Sequence, residues 1–214
     1  RPAASIGTLG ILTPNSADPG GLTSPDSVDL MATLAELSRS GLSAVAIEAS
    51  SHGLDQSRLT GVQAEIGVFT SFSRDHLDYH KDEESYLSAK LRIFSEAMAP
   101  GGVAIIASST SEFPKISLSA NRHTILTYGR DGRFLRIRDA IPDRLGLILE
   151  IAGPDGDHRV KLDHFAFFQA ENALAAAAIA IASGGDPSDS IQAIESLNQP
   201  RGRMQRAGTT PEGA

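Results

Sequence analysis

Two stretches concentrate the groups that could do chemistry. In "EASSHGLDQSR", residues 48–58, an apolar run ends at Glu48, and Ser50, Ser51, His52, Gln56 and Arg58 follow. An arginine offers paired N–H donors to a phosphate or carboxylate, and Ser50 and Gln56 can hydrogen-bond a polar ligand. In "SRDHLDYH", residues 73–80, Asp75, His76, Asp78 and His80 fall within one short segment. His76 and His80 are four residues apart, the spacing of a helical metal pair, but the glutamate of H-E-x-x-H is missing. One imidazole assisting carboxylates around a hard cation suits this set better than a zinc hydrolase. Both stretches can equally be loops whose polar side chains cap their own backbone. A Ser–His nucleophile is disfavoured, because Ser51 and His52 are adjacent and no G-x-S-x-G elbow surrounds them.

Two further residues are candidates. Lys90 sits among apolar neighbours in "YLSAKLRIF". Most lysines are solvated, whereas a partly buried one has a lowered pKa and a reactive neutral amine. Asn172, in "FQAENALAA", either decorates a helix start or reads a donor–acceptor edge such as adenine. The sequence holds no G-x-x-x-x-G-K-[ST], so on motif grounds alone it lacks the phosphate-cradling loop of an ATP-dependent enzyme.

The elements that must position these residues alternate between strand and helix. "ASIGTLGIL" (4–12) reads as a strand with glycines, and a turn-rich loop follows. "SPDSVDLMATLAELSRSG" reads as a helix with Ser24 as N-cap, Pro25 in the first turn and Gly41 as the stop. Its expected apolar face is Val28, Met31, Leu34 and Ala35. "SAVAIEA" (43–49), "AEIGVFTSF" (64–72) and "GGVAIIAS" (101–108) are apolar runs suited to buried strands, with a helix predicted from Glu83 to Met98. This rhythm predicts an α/β fold with a mostly parallel sheet flanked by helices. From about 124 to 165 the runs shorten between "GRDG", "PDR" and "GPDGDH", which predicts a small antiparallel β appendage. A buried helix over "FQAENALAAAAIAIASGG", a second over "PSDSIQAIESL" and an exit linker complete the chain.

With 214 residues there is room for one sizeable domain and an appendage. A net charge of -7 argues against nucleic acid or an anionic membrane as partner, while leaving room for a local cationic pocket. The absence of cysteine removes disulfides and thiolate metal sites and is compatible with a reducing, cytoplasmic location. The longest apolar segment, 173–182, is about half a membrane span, so no membrane insertion is expected.

Taken in order, "GTLG", "LTSPD", "EASSHGLDQSRLTGV", "FTSFSRDHLDYH", "YLSAKLRIF", "FQAENALAA" and "PRGRM" resemble the central domain of the Mur ligases, in particular the type that adds the third peptide residue in peptidoglycan synthesis. These matches cover most of the chain, and the pairing of "SSHGLDQ" with "RDHLDYH" is specific. The resemblance implies that Thr23, Ser24, Ser50, Gln56 and Arg58 hold a UDP-muramoyl dipeptide. It implies that Glu48, His76 and a CO2-carboxylated Lys90 hold magnesium, and that Asn172 and Arg203 approach ATP. The reaction it implies is ATP-dependent amide formation through an acyl phosphate, with diaminopimelate or lysine as the incoming amino acid.

The family carries a G-T-x-G-K-T loop upstream of the region matching "GTLG", and separate domains for the uridine nucleotide and the amino acid. The resemblance therefore implies a central domain over 1–200 and a linker, 201–214, toward a C-terminal domain. The 214-residue chain alone is expected neither to bind ATP tightly nor to ligate. Three other readings stand beside it. One is a folylpolyglutamate synthetase (FPGS)-like ligase with a similar "TSP" stretch. Another is a metal-dependent hydrolase built on Asp75, His76 and His80, and the third is a non-catalytic binding module.

Overall fold

The computed structural model describes residues 2–19, 21–144, 146–164 and 166–199. Arg203 and "PRGRM" lie outside them. The chain divides into two compact units, one of residues 1–67 with 72–102 and one of residues 68–71 with 103 onward.

The first unit is organised by a small sheet of order β3-β2-β1-β4, built from β1 (Ala3–Gly7), β2 (Gly10–Leu12), β3 (Ala17–Asp18) and β4 (Ala44–Ile47). β1 and β4 run parallel with Ala3 opposite Ala44 and Ile6 opposite Ile47. That register brings the residues after both strands, Gly7–Thr8 and Glu48, side by side, and Glu48 N donates to Ile6 O at 2.8 Å. Ala4 and Ile6 are buried with Leu30 and Leu37 of α1 (Ser27–Arg39), Leu54 of α2 (Ser51–Asp55), Leu59, Val62 and Ala97.

The expectation of a strand covered on both faces fails for β4, since Ala44 and Ala46 are exposed and only Val45 and Ile47 pack on the core. The face of α1 is also corrected. Val28 is 75% and Met31 43% exposed, while Leu30 and Leu37 are buried and Leu34 packs beside them. The N-cap of α1 is Asp26, whose carboxylate accepts from Val28 N and Asp29 N, and not Ser24. The helix predicted over 83–98 is α3 (Glu83–Arg92), opened by a reciprocal Asp82–Ser85 capping box and continued by one π-helical turn, Ile93–Ala97.

The larger sheet has the order β10-β9-β8-β7-β6-β5. Its strands are β5 (Ala64–Phe69), β6 (Met98–Ala107), β7 (Thr124–Gly129), β8 (Leu135–Asp143), β9 (Gly146–Gly153) and β10 (Gly156–Leu162). β7 pairs parallel with both β6 and β8, whereas β8–β9 and β9–β10 are antiparallel. The antiparallel ladders therefore begin at β8, after the parallel β7 at 124–129. Ala104–Ala107, Tyr128, Leu135 and Leu149 form the buried centre of the second unit.

A short α4 (Phe113–Ser119) follows β6; α5 (Phe167–Ala182) packs on β7 and β8, and α6 (Pro187–Gln192) on β10. The alanine-rich face of α5 is buried through Ala170, Ala173, Leu174, Ala177 and Ala178. The helix ends at Gly184, whose φ of +89° lets the chain turn back so that Gly185 N reaches Ala180 O.

Candidate functional site

All the candidate residues from Thr23 to Lys90 fall in the first unit. Glu48 leaves the end of β4 and turns its carboxylate toward the loop after β1. Its Oε2 accepts from Thr8 N at 2.8 Å and Thr8 Oγ1 at 2.9 Å. The approach needs a glycine at position 7, because a Cβ there would stand 2.6 Å from Glu48 Oε2. Thr8 Oγ1 also meets Thr23 Oγ1 at 3.1 Å, so Thr8, unassigned in the sequence reading, joins two of the candidates.

A second set of bonds knits the remaining polar residues together. Ser24 is fully buried, and its hydroxyl donates to Glu48 O at 2.9 Å, accepts from Ser50 N at 3.1 Å and lies 3.1 Å from Ser50 Oγ. Ser50 is the N-cap of α2, with its Oγ accepting from Gly53 N at 3.0 Å. Arg58 Nη1 donates to Ser24 O at 3.0 Å, and Nη2 donates to Gln56 Oε1. Thr23, Ser24, Glu48, Ser50, Gln56 and Arg58 thus belong to one connected network. Within it Ser24 is turned into the protein, and Arg58 keeps further N–H donors for an anion.

The "RDHLDYH" segment packs against α2 and α3 and is not itself a helix. His76 holds a left-handed φ of 54°, and its N–H is taken by Asp75 Oδ1 at 2.7 Å. Such a φ is uncommon for a non-glycine residue, and Ser57, just after α2, shares it at 55°. His80 is buried with Nε2 3.0 Å from Ser51 Oγ, which removes it from an i,i+4 metal pair with His76. Burial lowers the His80 pKa, the neighbouring His52 adds to that, and Asp55 opposes it. His52 lies against Tyr79 with ring centroids 4.0 Å apart and the rings tilted by 41°, and meets His76 edge-on at 5.3 Å.

Tyr86 on α3 connects this segment to Lys90. Its ring lies 5.7 Å from that of His76, and Lys90 Nζ lies 5.5 Å from its centroid. Burial pushes the Lys90 ammonium below its ordinary pKa, while Asp75 and Glu48 pull it back up. The same burial, with Asp75, raises the Tyr86 phenol. Both carboxylates therefore act on the Lys90 amine.

Among the described residues no group of three or more His, Asp or Glu side chains is placed to hold a metal ion. Glu48 and His76 supply one carboxylate and one imidazole. Asn172 belongs to the second unit, on α5, with Nδ2 donating to Gln169 Oε1 at 3.2 Å.

The model of the Mur ligase middle domain matches residues 2–180. The chain belongs to the Mur ligase family. This Mur ligase middle domain is 38% identical over 219 residues to the UDP-N-acetylmuramoyl-L-alanyl-D-glutamate–2,6-diaminopimelate ligase of Caulobacter vibrioides, an alignment covering 99% of this chain and 45% of that protein. A solved ligase of the same description superposes with a TM-score of 0.87 at 30% identity, covering 96% of this chain and 42% of the other. An FPGS–AMPPCP complex shares the fold at a TM-score of 0.67 and 12% identity, covering 98% of this chain and 60% of that one. The Mur ligase chain described here thus spans about 45% of the length of the curated relatives it matches.

Proposed function

We propose that this chain is the central part of an ATP-dependent ligase that joins 2,6-diaminopimelate to UDP-N-acetylmuramoyl-L-alanyl-D-glutamate in the cytoplasm. The observation that supports the reading is the half-buried Lys90 amine, within electrostatic reach of Asp75 and of Glu48, whose own backbone carbonyl is held by Ser24 of the serine–arginine network. A surface lysine has no such environment. Diaminopimelate is preferred over lysine because the relatives are named for it. The 12% identity to the FPGS–AMPPCP complex supports a common fold and no common substrate. The hydrolase reading is weakened by the engagement of His80 with Ser51.

The residues divide the work. Arg58, Gln56, Ser50 and Thr23 would orient the anionic nucleotide-peptide, with Ser24 setting the backbone they stand on. A pKa lowered by burial favours the neutral form of the Lys90 amine, the form that would add CO2, releasing a proton and leaving a carbamate. Glu48, His76 and that carbamate would hold Mg2+, which when bound neutralises charge between phosphate and carboxylate oxygens. The D-glutamate carboxylate would be activated as an acyl phosphate, and the amine of the incoming amino acid would displace phosphate. Proximity and charge neutralisation supply most of the acceleration in such a reaction. ATP is a substrate here, and no Gly-rich loop for its phosphates is present in this sequence. Asn172 and Arg203 remain its proposed contacts. We retain 1–200 as the domain, 124–165 as its insertion and 201–214 as a linker.

The test is phosphate release by the full-length protein with ATP, Mg2+, the UDP-muramoyl dipeptide and diaminopimelate. Release should require all four, and Lys90→Ala should lower it by about a hundredfold or more, the scale of losing one charge-stabilising group. Turnover without the UDP-muramoyl dipeptide, or an unaffected Lys90→Ala variant, would overturn the reading.

A further inference from the structure

Tyr79 lies outside the set of residues that would touch the nucleotide-peptide, yet its hydroxyl sits at the end of the chain of bonds that leads to Arg58. Tyr79 Oη donates to Asp55 Oδ2 at 2.8 Å, and Gln56 Nε2 donates to Tyr79 Oη at 3.1 Å. Gln56 Oε1 then accepts from Arg58 Nη2, and Arg58 Nη1 donates to Ser24 O at 3.0 Å. We propose that Tyr79 is a positioning residue that fixes the direction of this hydrogen-bond chain and thereby aims the Arg58 guanidinium at the anionic substrate.

The polarity follows from the chemistry of each group. An ionised carboxylate only accepts, so Asp55 takes the single proton of the Tyr79 hydroxyl. With that proton committed, the phenol oxygen can only accept from Gln56, and the partner must be the amide NH2. The opposite end of the amide is then its carbonyl oxygen, the only end that an arginine, which never accepts, can use. A flipped amide would set NH2 against guanidinium, two donors facing each other. Asp55 is itself held. Arg92 donates to its backbone carbonyl at 2.8 Å and lies 3.8 Å from its carboxylate, while Glu96 accepts from Arg92 Nε at 2.7 Å. Packing completes the arrangement, since the Tyr79 ring lies against His52 at 4.0 Å. The guanidinium is therefore anchored on two sides, by Ser24 O and by Gln56, with its remaining N–H groups available to a ligand.

This inference rests on the ligase reading, and its test separates the two. Tyr79→Phe keeps the ring and removes only the hydroxyl. In the full-length protein it should raise KM for the UDP-muramoyl dipeptide by about three- to tenfold, the scale of one hydrogen bond. kcat and KM for ATP should hold. Gln56→Ala should raise the same KM, and the double variant should be no worse than Gln56→Ala alone, because both act through one chain. An independent readout is the Gln56 side-chain amide signal in the 214-residue chain, which should shift in Tyr79→Phe without any substrate. An unchanged dipeptide KM, additive losses, or an unmoved amide signal would each overturn the role of Tyr79. A wild-type protein that does not use the dipeptide, while the amide signal still shifts, would overturn the substrate and leave the hydrogen-bond chain standing.

Discussion

Lys90 shows what one half-buried amine contributes. Its folded-state pKa is lowered by burial, with Asp75 and Glu48 opposing, whereas in the unfolded chain it titrates at about 10.4. Between those two values the unfolded state binds more protons, so this group makes stability rise with pH and lowers it as pH falls through the folded value. In CO2-free buffer, wild type should gain stability over Lys90→Met as pH rises toward about 10, read as the separation of urea midpoints. Parallel curves for the two proteins would mean that the charge of Lys90 is solvated. Adding bicarbonate should raise the stability of wild type alone if the carbamate forms, because carbamate formation stabilises only the folded state. Lys90 was visible in the sequence as a lysine among apolar residues, but its two carboxylate neighbours lie far away along the chain.

At the scale of elements, Ser24 and Asp26 exchange the roles their positions suggest. Both are good N-caps two residues apart. Asp26 takes the helix because the Ser24 hydroxyl is occupied by Glu48 O and Ser50 N across the unit. Asp26→Ala should therefore cost about 1 kcal/mol, the usual worth of a cap. Ser24→Ala should cost more, about 1–3 kcal/mol, since it takes the partner from two part-buried groups, the Glu48 carbonyl and the Ser50 N–H. Denaturant unfolding of the two variants ranks them, and an equal or reversed order would return the cap to Ser24. The same distinction explains what the sequence could and could not disclose. The polar loop after β4 was legible because the apolar run stops at Glu48, and α5 because a long alanine-rich run has few other solutions. The buried face of α1 was not legible. Val28–Met31 and Leu30–Leu37 are rival apolar tracks sharing Leu34, and only contact with Ala4, Ile6 and Leu54 selects the second. Tyr79 escaped notice for the same reason, since its partners Asp55 and Gln56 are more than twenty positions away.

At the scale of the whole molecule, colloidal behaviour sets two features against each other. A net charge of -7 keeps copies of the chain apart. Against that, β4 is the terminal strand of its sheet, pairing only with β1, and its exposed side chains are Ala44 and Ala46. An edge strand that is apolar, short-chained and free of charge is a template for pairing with another copy. Neighbouring β1 offers no protection on that face, because Ala3 is exposed as well. Charge repulsion acts over about a Debye length, roughly 8 Å at physiological ionic strength, so added salt removes the opposition and leaves the edge. The 214-residue chain should therefore associate in a manner that increases with both concentration and salt, measurable by light scattering. Ala46→Lys places a charge on the exposed face of the edge without touching Val45 or Ile47, and should suppress that association while leaving the urea midpoint within about 0.5 kcal/mol of wild type. If scattering persists unchanged in Ala46→Lys, the contact lies elsewhere. If it falls as salt is added, repulsion is not what holds the copies apart.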